Sequence, residues 1–223
     1  MCGFIGFSGQ LAEKEAVLQR MMARIVHRGP DMGGAYVDED VALGFRRLSI
    51  LDLSEAGAQP MKSSDGNVVV TFIGEIYNFM ELRRELEEKG HHFHCHADTE
   101  VLVHGYEEWG TQLVYRLRGM YGFVIWDKVN RRLFGARDMF GIKPFYYSPL
   151  PDGKGLLFGS EIKGFLEHPL FQKAVNENAL LPYLTLQYSA TEETFFKGVY
   201  KLPAAHYFTY ENGKMEIQRY WDC

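Results

Sequence analysis

The sequence predicts a layered α+β fold, with helices covering packed antiparallel sheets. Three observations point there. Many short runs rich in β-branched and aromatic residues are bounded by turn residues, most of them after Met120. A few stretches carry helical periodicity instead. No Pro/Gly/Ser linker, internal repeat or low-complexity tract divides the 223 residues, so one domain spanning 1–223 is expected.

Gly3–Gly9 is a short apolar strand whose glycines let other backbone come close. Ala16, Leu18, Met21, Met22, Ile25 and Val26 then recur at three- and four-residue spacing, a helix that should stop before the turn Arg28-Gly29-Pro30-Asp31. Ala35–Val37 and Val41–Phe45 flank an acidic turn and read as a hairpin. Val68–Ile73 is strongly β-branched, as a buried strand requires. Asn78 with Glu81 three residues on has the pattern of a capping box, opening a helix to Lys89 that Gly90 ends. Thr99–Trp109 is a second amphipathic helix. Tyr121–Asp127 with Arg132–Ala136, and Pro144–Tyr147 with Gly155–Gly159, read as two further hairpins. Short helices are expected at Ile162–Leu166 and Glu177–Leu186, and strands at Ala205–Tyr210 and Met215–Tyr220.

The apolar share of 46% suffices for a sizeable core. A net charge of −5 with acids and bases mixed along the chain excludes the basic patch of a nucleic-acid binder. No apolar run approaches a membrane span and no secretory signal is visible. Three scattered cysteines make no disulfide framework, which fits a reducing cytoplasm.

The chain begins Met1-Cys2-Gly3. If the initiator methionine is removed, Cys2 carries a thiol nucleophile and a free α-amine in one residue. An α-amine has a reference pKa near ~7.7–8.0, so part of it is available as a base at neutral pH. The plain alternative is a small residue at position two with no chemistry.

Six segments decide between these. MCGFIGF opens the chain; His27–Asp31 is HRGPD; Arg46–Asp52 is RRLSILD; Gly74–Asn78 is GEIYN; Ala97–Glu100 is ADTE; and Arg137–Tyr147 is RDMFGIKPFYY. Together, in this order and over essentially the whole chain, they resemble the N-terminal glutaminase domain of the asparagine synthetases, class II glutamine amidotransferases. The resemblance implies a four-layer αββα sandwich of the N-terminal nucleophile hydrolase type. It implies that the Cys2 thiolate attacks the side-chain amide of glutamine, that a γ-glutamyl thioester forms with loss of ammonia, and that water releases glutamate, with the α-amine shuttling protons. It assigns Arg47, ahead of its neighbour Arg46, to the substrate carboxylate, which a guanidinium can grip bidentately. Asp98 is assigned to the substrate ammonium, and Glu75 to the same pocket, with backbone groups of Ile50 and Leu51 completing it. Taken alone, Arg47 could be a solvated strand arginine and Asp98 a plain helix N-terminal acid.

The resemblance also implies partners: glutamine, and a synthetase domain in cis that uses ATP and Mg to make asparagine from aspartate. The Ser-Gly-Gly-x-Asp-Ser loop of that domain is not in this sequence. No cofactor or metal is expected in the present domain, and a homodimer is allowed.

The chain departs from the family at one position. The fourth segment normally reads Asn-Gly-Glu-Ile-Tyr-Asn, and here it reads Ile73-Gly74-Glu75-Ile76-Tyr77-Asn78. The asparagine amide and the backbone N–H of the following glycine form the family's oxyanion hole. Gly74 keeps its N–H; Ile73 has no donor. Losing one such donor typically costs ~10²–10³ in turnover. A glutamine-binding domain with impaired or no glutaminase activity is therefore the competing expectation.

Two other segments carry lesser readings. In an extended His91–His96, the rings of His92, His94 and His96 would share a face as a zinc-type cluster, although a polar surface strand explains the pattern as well. Arg137–Pro144 needs no chemistry beyond a tight turn, with an interface toward a second domain implied by the resemblance.

Overall fold

A computed structural model describes residues 1–48, 57–189 and 191–222. In chain order its strands are β1 Gly3–Ser8, β2 Met32–Val37, β3 Val41–Arg47, β4 Met61–Lys62, β5 Val68–Ile76, β6 Gly119–Asp127, β7 Arg132–Arg137, β8 Tyr146–Pro149, β9 Leu156–Gly159, β10 Tyr200–Lys201, β11 His206–Glu211 and β12 Lys214–Arg219. The helices are α1 Lys14–Arg24, α2 Phe79–Glu88, α3 Thr99–Trp109 and α4 Leu180–Leu186, with 3-10 turns at Val26–Arg28, Gly110–Tyr115, Ile162–Glu167 and Glu177–Ala179.

The strands form two six-stranded sheets, ordered β10-β8-β9-β1-β3-β2 and β12-β11-β7-β6-β5-β4. Every pairing is antiparallel. Three apolar layers follow from the period-two alternation of the strands. Phe4 of β1 and Leu43 and Phe45 of β3 meet Val69 and Ile73 of β5 and Trp126 of β6 between the sheets. Ile5 and Phe7 point the other way, onto Leu18 and Met21 of α1. Val70, Phe72 and Ile76 likewise leave the inter-sheet layer and pack against Leu82, Leu86, Leu102 and Tyr106 of α2 and α3. The result is the helix–sheet–sheet–helix sandwich expected from the resemblance.

The hairpins and α3 occupy the segments the sequence indicates. Two expectations need correction. Asn78 stands where α2 begins but makes no side-chain cap. Its amide instead accepts from Arg118 N at 2.9 Å and donates to Arg116 O at 2.9 Å, fastening the end of β5 to the segment entering β6. The capping-box pattern is thus diverted to a tertiary contact. The second correction concerns His91–His94, which forms no strand. The chain there is held by Glu100, whose carboxylate accepts from His94 N at 2.7 Å and Cys95 N at 2.9 Å. Burial works to raise the pKa of Glu100, but these N–H groups and the Cys95 thiol hold it below its ordinary value. His92, His94 and His96 are all exposed, and no zinc-type cluster of the three forms. The strands β4 and β10, two residues each, are too short to leave a periodic signature.

Candidate active site

Alternation also places the site. Residues at positions 2 and 4 share a face of β1, and those at 43, 45 and 47 share a face of β3. Gly3 pairs with Arg46, so Cys2 and Arg47 lie at the same end of the inter-sheet layer. Residues 73 and 75 of β5 reach that end from the opposite sheet. Cys2, Arg47, Ile73, Gly74, Glu75 and Asp98 all line one cavity of about 580 Å³. Ile50 and Leu51 lie outside the described residues.

Cys2 is half-buried; its Sγ accepts from Leu48 N at 3.3 Å and faces Leu48 O at 3.6 Å. The HRGPD segment holds it in place. Arg28 Nε donates to Cys2 O at 3.0 Å, and its NH1 is 3.0 Å from Glu161, which His27 also meets at 2.8 Å. Gly3 gives the arginine room, since a β-carbon there would touch the Arg28 stem and Ile25. Arg28 was not assigned a part from the sequence. The signal was available in HRGPD as a motif, but not what the arginine grips.

Arg46 and Arg47 separate cleanly. Arg46 points to the α1 side, where its Nε donates to Gly29 O at 3.1 Å. Arg47 points to the cavity, its guanidinium beside Gly57 and Met32. Across from it, Asp98 turns to β5 and accepts from Ile76 N at 2.9 Å. Burial, opposed by that bond and aided by the charge of Glu75, pushes its carboxyl up to about 6. Glu75 itself is exposed at the rim. A cation entering beside Asp98 and Glu75 would lower the pKa of the half-buried Asp98 carboxyl and hold it charged, and a carboxylate entering beside Arg47 would meet a guanidinium.

Gly74 is demanded by the backbone. Its φ is +136°, and a β-carbon would collide with the carbonyl oxygen of Met120. Ile73 is 1% exposed and packs in the inter-sheet layer that also holds Phe4, Phe145 and, at its edge, Cys2. An aliphatic side chain thus lines the cavity that Cys2 also lines.

Lys143, buried at the same cavity, escaped the sequence reading; its Nζ lies 3.9 Å from the Met1 sulfur. It is carried by the Arg137–Pro144 turn, which is built on its own charges. Asp138 is fully buried and accepts from the backbone N–H of Tyr121, Phe140, Ile142 and Lys143. Arg137 donates to the carbonyls of Gly141, Lys143 and Leu202.

Two stacked antiparallel sheets between helical layers, with the second residue at the inter-sheet cavity, make this the fold of the N-terminal nucleophile hydrolases. Solved relatives share it: the glutamine phosphoribosylpyrophosphate amidotransferase of Bacillus subtilis superposes on 99% of this chain and 49% of its own, with a TM-score of 0.73 at 17% identity. The chain belongs to the class II glutamine amidotransferase domain family, whose model, a glutamine amidotransferase domain, matches residues 1–221. It is 39% identical over its whole length to asparagine synthetase (glutamine-hydrolyzing) 3 of Bacillus subtilis, covering 37% of that protein. It is 41% identical to asparagine synthetase (glutamine-hydrolyzing) 1 of the same organism over 94% of this chain and 33% of the relative. The chain therefore spans about a third of the length of the curated relatives it matches. No helix among the described residues is long and apolar enough to cross a membrane.

Proposed function

We propose that this domain hydrolyses glutamine to glutamate and ammonia through a thioester on Cys2. The observation that carries the reading is the convergence of Cys2, Arg47, Gly74, Glu75 and Asp98 on one cavity. Arg47 takes the substrate α-carboxylate; Asp98, with Glu75 behind it, takes the α-ammonium. The side-chain amide is then presented to the thiol. The Cys2 α-amine takes the thiol proton, the thiolate adds to the amide carbon, and the Gly74 N–H donates to the oxyanion that forms. Collapse expels ammonia, protonated by the Cys2 α-amine, and leaves the γ-glutamyl thioester. Water, deprotonated by the same amine, adds to the thioester carbonyl and releases glutamate and the free thiol. The amine is free only after Met1 is removed; with Met1 in place the Cys2 nitrogen is an amide and cannot accept a proton. No cofactor is called on here. In a longer protein of this family, the ammonia would pass to a synthetase domain in cis that uses ATP and Mg to convert aspartate to asparagine.

A second reading has its own observation. Ile73 buries an aliphatic side chain where the family's amide donor is expected, so the domain binds glutamine but turns it over slowly or not at all. A thiol-reactive glutamine analogue separates the two, with intact mass confirming loss of Met1. Capture of Cys2 together with steady ammonia release supports the enzyme. Capture without turnover supports the oxyanion-hole defect, and glutamine binding without capture supports a binding domain. Neither capture nor glutamine binding overturns both.

A further inference from the structure

We propose that His91, His104 and Glu107 form a zinc-type divalent cation site where the segment leaving α2 meets the middle of α3. It is a different set from the alternating histidines the sequence suggested, and it stands apart from the glutamine cavity. His104 and Glu107 are three residues apart on α3 and so share a face. His91 is brought to them by its backbone, whose N–H donates to Leu86 O at 3.0 Å as α2 ends. The two imidazole centroids are 5.1 Å apart. One ligand atom from each of the three residues lies within 4.8 Å of the others.

The arrangement of the nitrogens is what favours a metal over a set of surface ion pairs. Glu107 is the shared corner: its Oε2 is 2.8 Å from His104 Nδ1 and 3.7 Å from His91 Nδ1. Both inner nitrogens thus face one carboxylate. Each outer nitrogen faces another, with His91 Nε2 at 3.3 Å from Glu108 and His104 Nε2 at 3.7 Å from Glu100. Metal-bound histidines are oriented this way, with the ring nitrogen away from the ion held by a carboxylate. His104 is 6% exposed, and its Nε2 has no hydrogen-bond partner among the described residues. Closing the gap to Glu100 as the Nδ1 lone pair turns to a cation would satisfy both nitrogens together. A cation between two neutral imidazoles and a carboxylate also avoids two adjacent imidazolium charges.

Two nitrogens and one oxygen select a borderline metal over calcium or magnesium. Zinc bonds of ~2.0–2.2 Å in a tetrahedron put ligand atoms about 3.3 Å apart, so the Glu107 carboxylate opens slightly from His104 while His91 closes on both, movements the Glu107 and His91 side chains can make because they reach the surface. The fourth position is left to water. The ion would clip the start of the 89–98 link to α3, while the far end of that link carries Asp98.

The test uses Zn²⁺ alone, titrated by calorimetry into chelator-treated protein, with Co²⁺ as a visible-absorption probe of tetrahedral nitrogen and oxygen ligation. One equivalent should bind. Glu107→Gln and His91→Asn should each weaken binding at least tenfold while far-UV circular dichroism stays unchanged; both sites are near the surface, so the result does not depend on replacing buried His104. The proposal is overturned if no stoichiometric binding occurs, or if both variants bind as the parent does. It is equally overturned if Cys2→Ser abolishes binding while His91→Asn preserves it, which would place the metal on the thiol.

Discussion

Arg137 with Asp138, and Arg47 with Asp98, place the same two residue types in very different settings. In the Arg137–Pro144 turn both are saturated by backbone: Arg137 donates to three carbonyls and Asp138 accepts from four N–H groups. At the inter-sheet cavity, Arg47 and Asp98 line a pocket of about 580 Å³, and burial holds the Asp98 carboxyl up at about 6 although it accepts from Ile76 N. The same residue types therefore do opposite work. Charges whose bonds are all made inside the fold hold the fold; charges aimed at a cavity are available to a ligand. Residue type alone does not distinguish the two pairs, and both lie in family motifs.

The sharpest way to break this contrast is at the thiol. Cys2→Ser should lower glutaminase turnover at least ~10³-fold, on the scale expected for losing a nucleophile, with the thermal midpoint unchanged; residual ammonia release at the parental rate would remove Cys2 from the chemistry. The two arginines come next. Arg47→Ala should raise the glutamine KM by roughly 30- to 1000-fold, equivalent to about 2–4 kcal/mol of charged hydrogen bonds to the substrate. Arg137→Ala should act on the fold instead, costing about 2–4 kcal/mol in urea unfolding by removing the donor from three part-buried carbonyls. If both variants lose stability equally, the contrast fails. Ile73→Asn should raise turnover by up to ~10²–10³ by restoring an oxyanion donor, while costing about 1–3 kcal/mol of stability because an amide enters an apolar layer. Equal rates in the two proteins would show that Ile73 is not the limiting departure.

The smallest effects are in pH. Burial first, then Glu75, raises the Asp98 pKa to about 6 from an ordinary 3.8. The folded chain therefore binds this proton more tightly than the unfolded chain. The group's contribution favours folding at pH below about 4 and is lost as pH rises through 6. Asp98→Asn should remove that decline and, at neutral pH, raise the thermal midpoint while destroying glutamine affinity. In the parent, affinity should fall as pH drops below about 6, because the ammonium needs the ionised carboxylate. Glu75→Gln should shift that midpoint downward, since one of the two raising influences is gone; a profile without any inflection would unseat Asp98.

Much of this was legible beforehand, for identifiable reasons. Hairpin residues alternate cleanly, so the strands were readable, and the same alternation is what sends Arg47 to the cavity and Arg46 to Gly29. The helix Thr99–Trp109 carries its own periodicity. What escaped depends on long-range partners. Asn78 has a capping pattern but a better offer from Arg116 and Arg118, some forty residues away. The 91–96 histidines alternate, but Glu100 bends their backbone before a strand can form. Arg28 and Lys143 reach the site through Cys2 O and the Met1 sulfur, contacts that no local pattern encodes.

One feature of β5 and β6 bears on how mutational data for this domain should be interpreted. Gly74 lacks a β-carbon where the Met120 carbonyl sits, and across the ladder Gly119 lacks one where the Glu75 carbonyl sits. The two strands are pinched together at both points, and neither glycine can relieve the other. A selection for folded protein alone, run without glutamine, should already reject every other residue at both positions. Intolerance at Gly74 in an activity screen would consequently say nothing about the oxyanion, and only a probe that leaves the side chain alone, such as replacing the Gly74 amide with an ester by protein semisynthesis, can weigh its N–H.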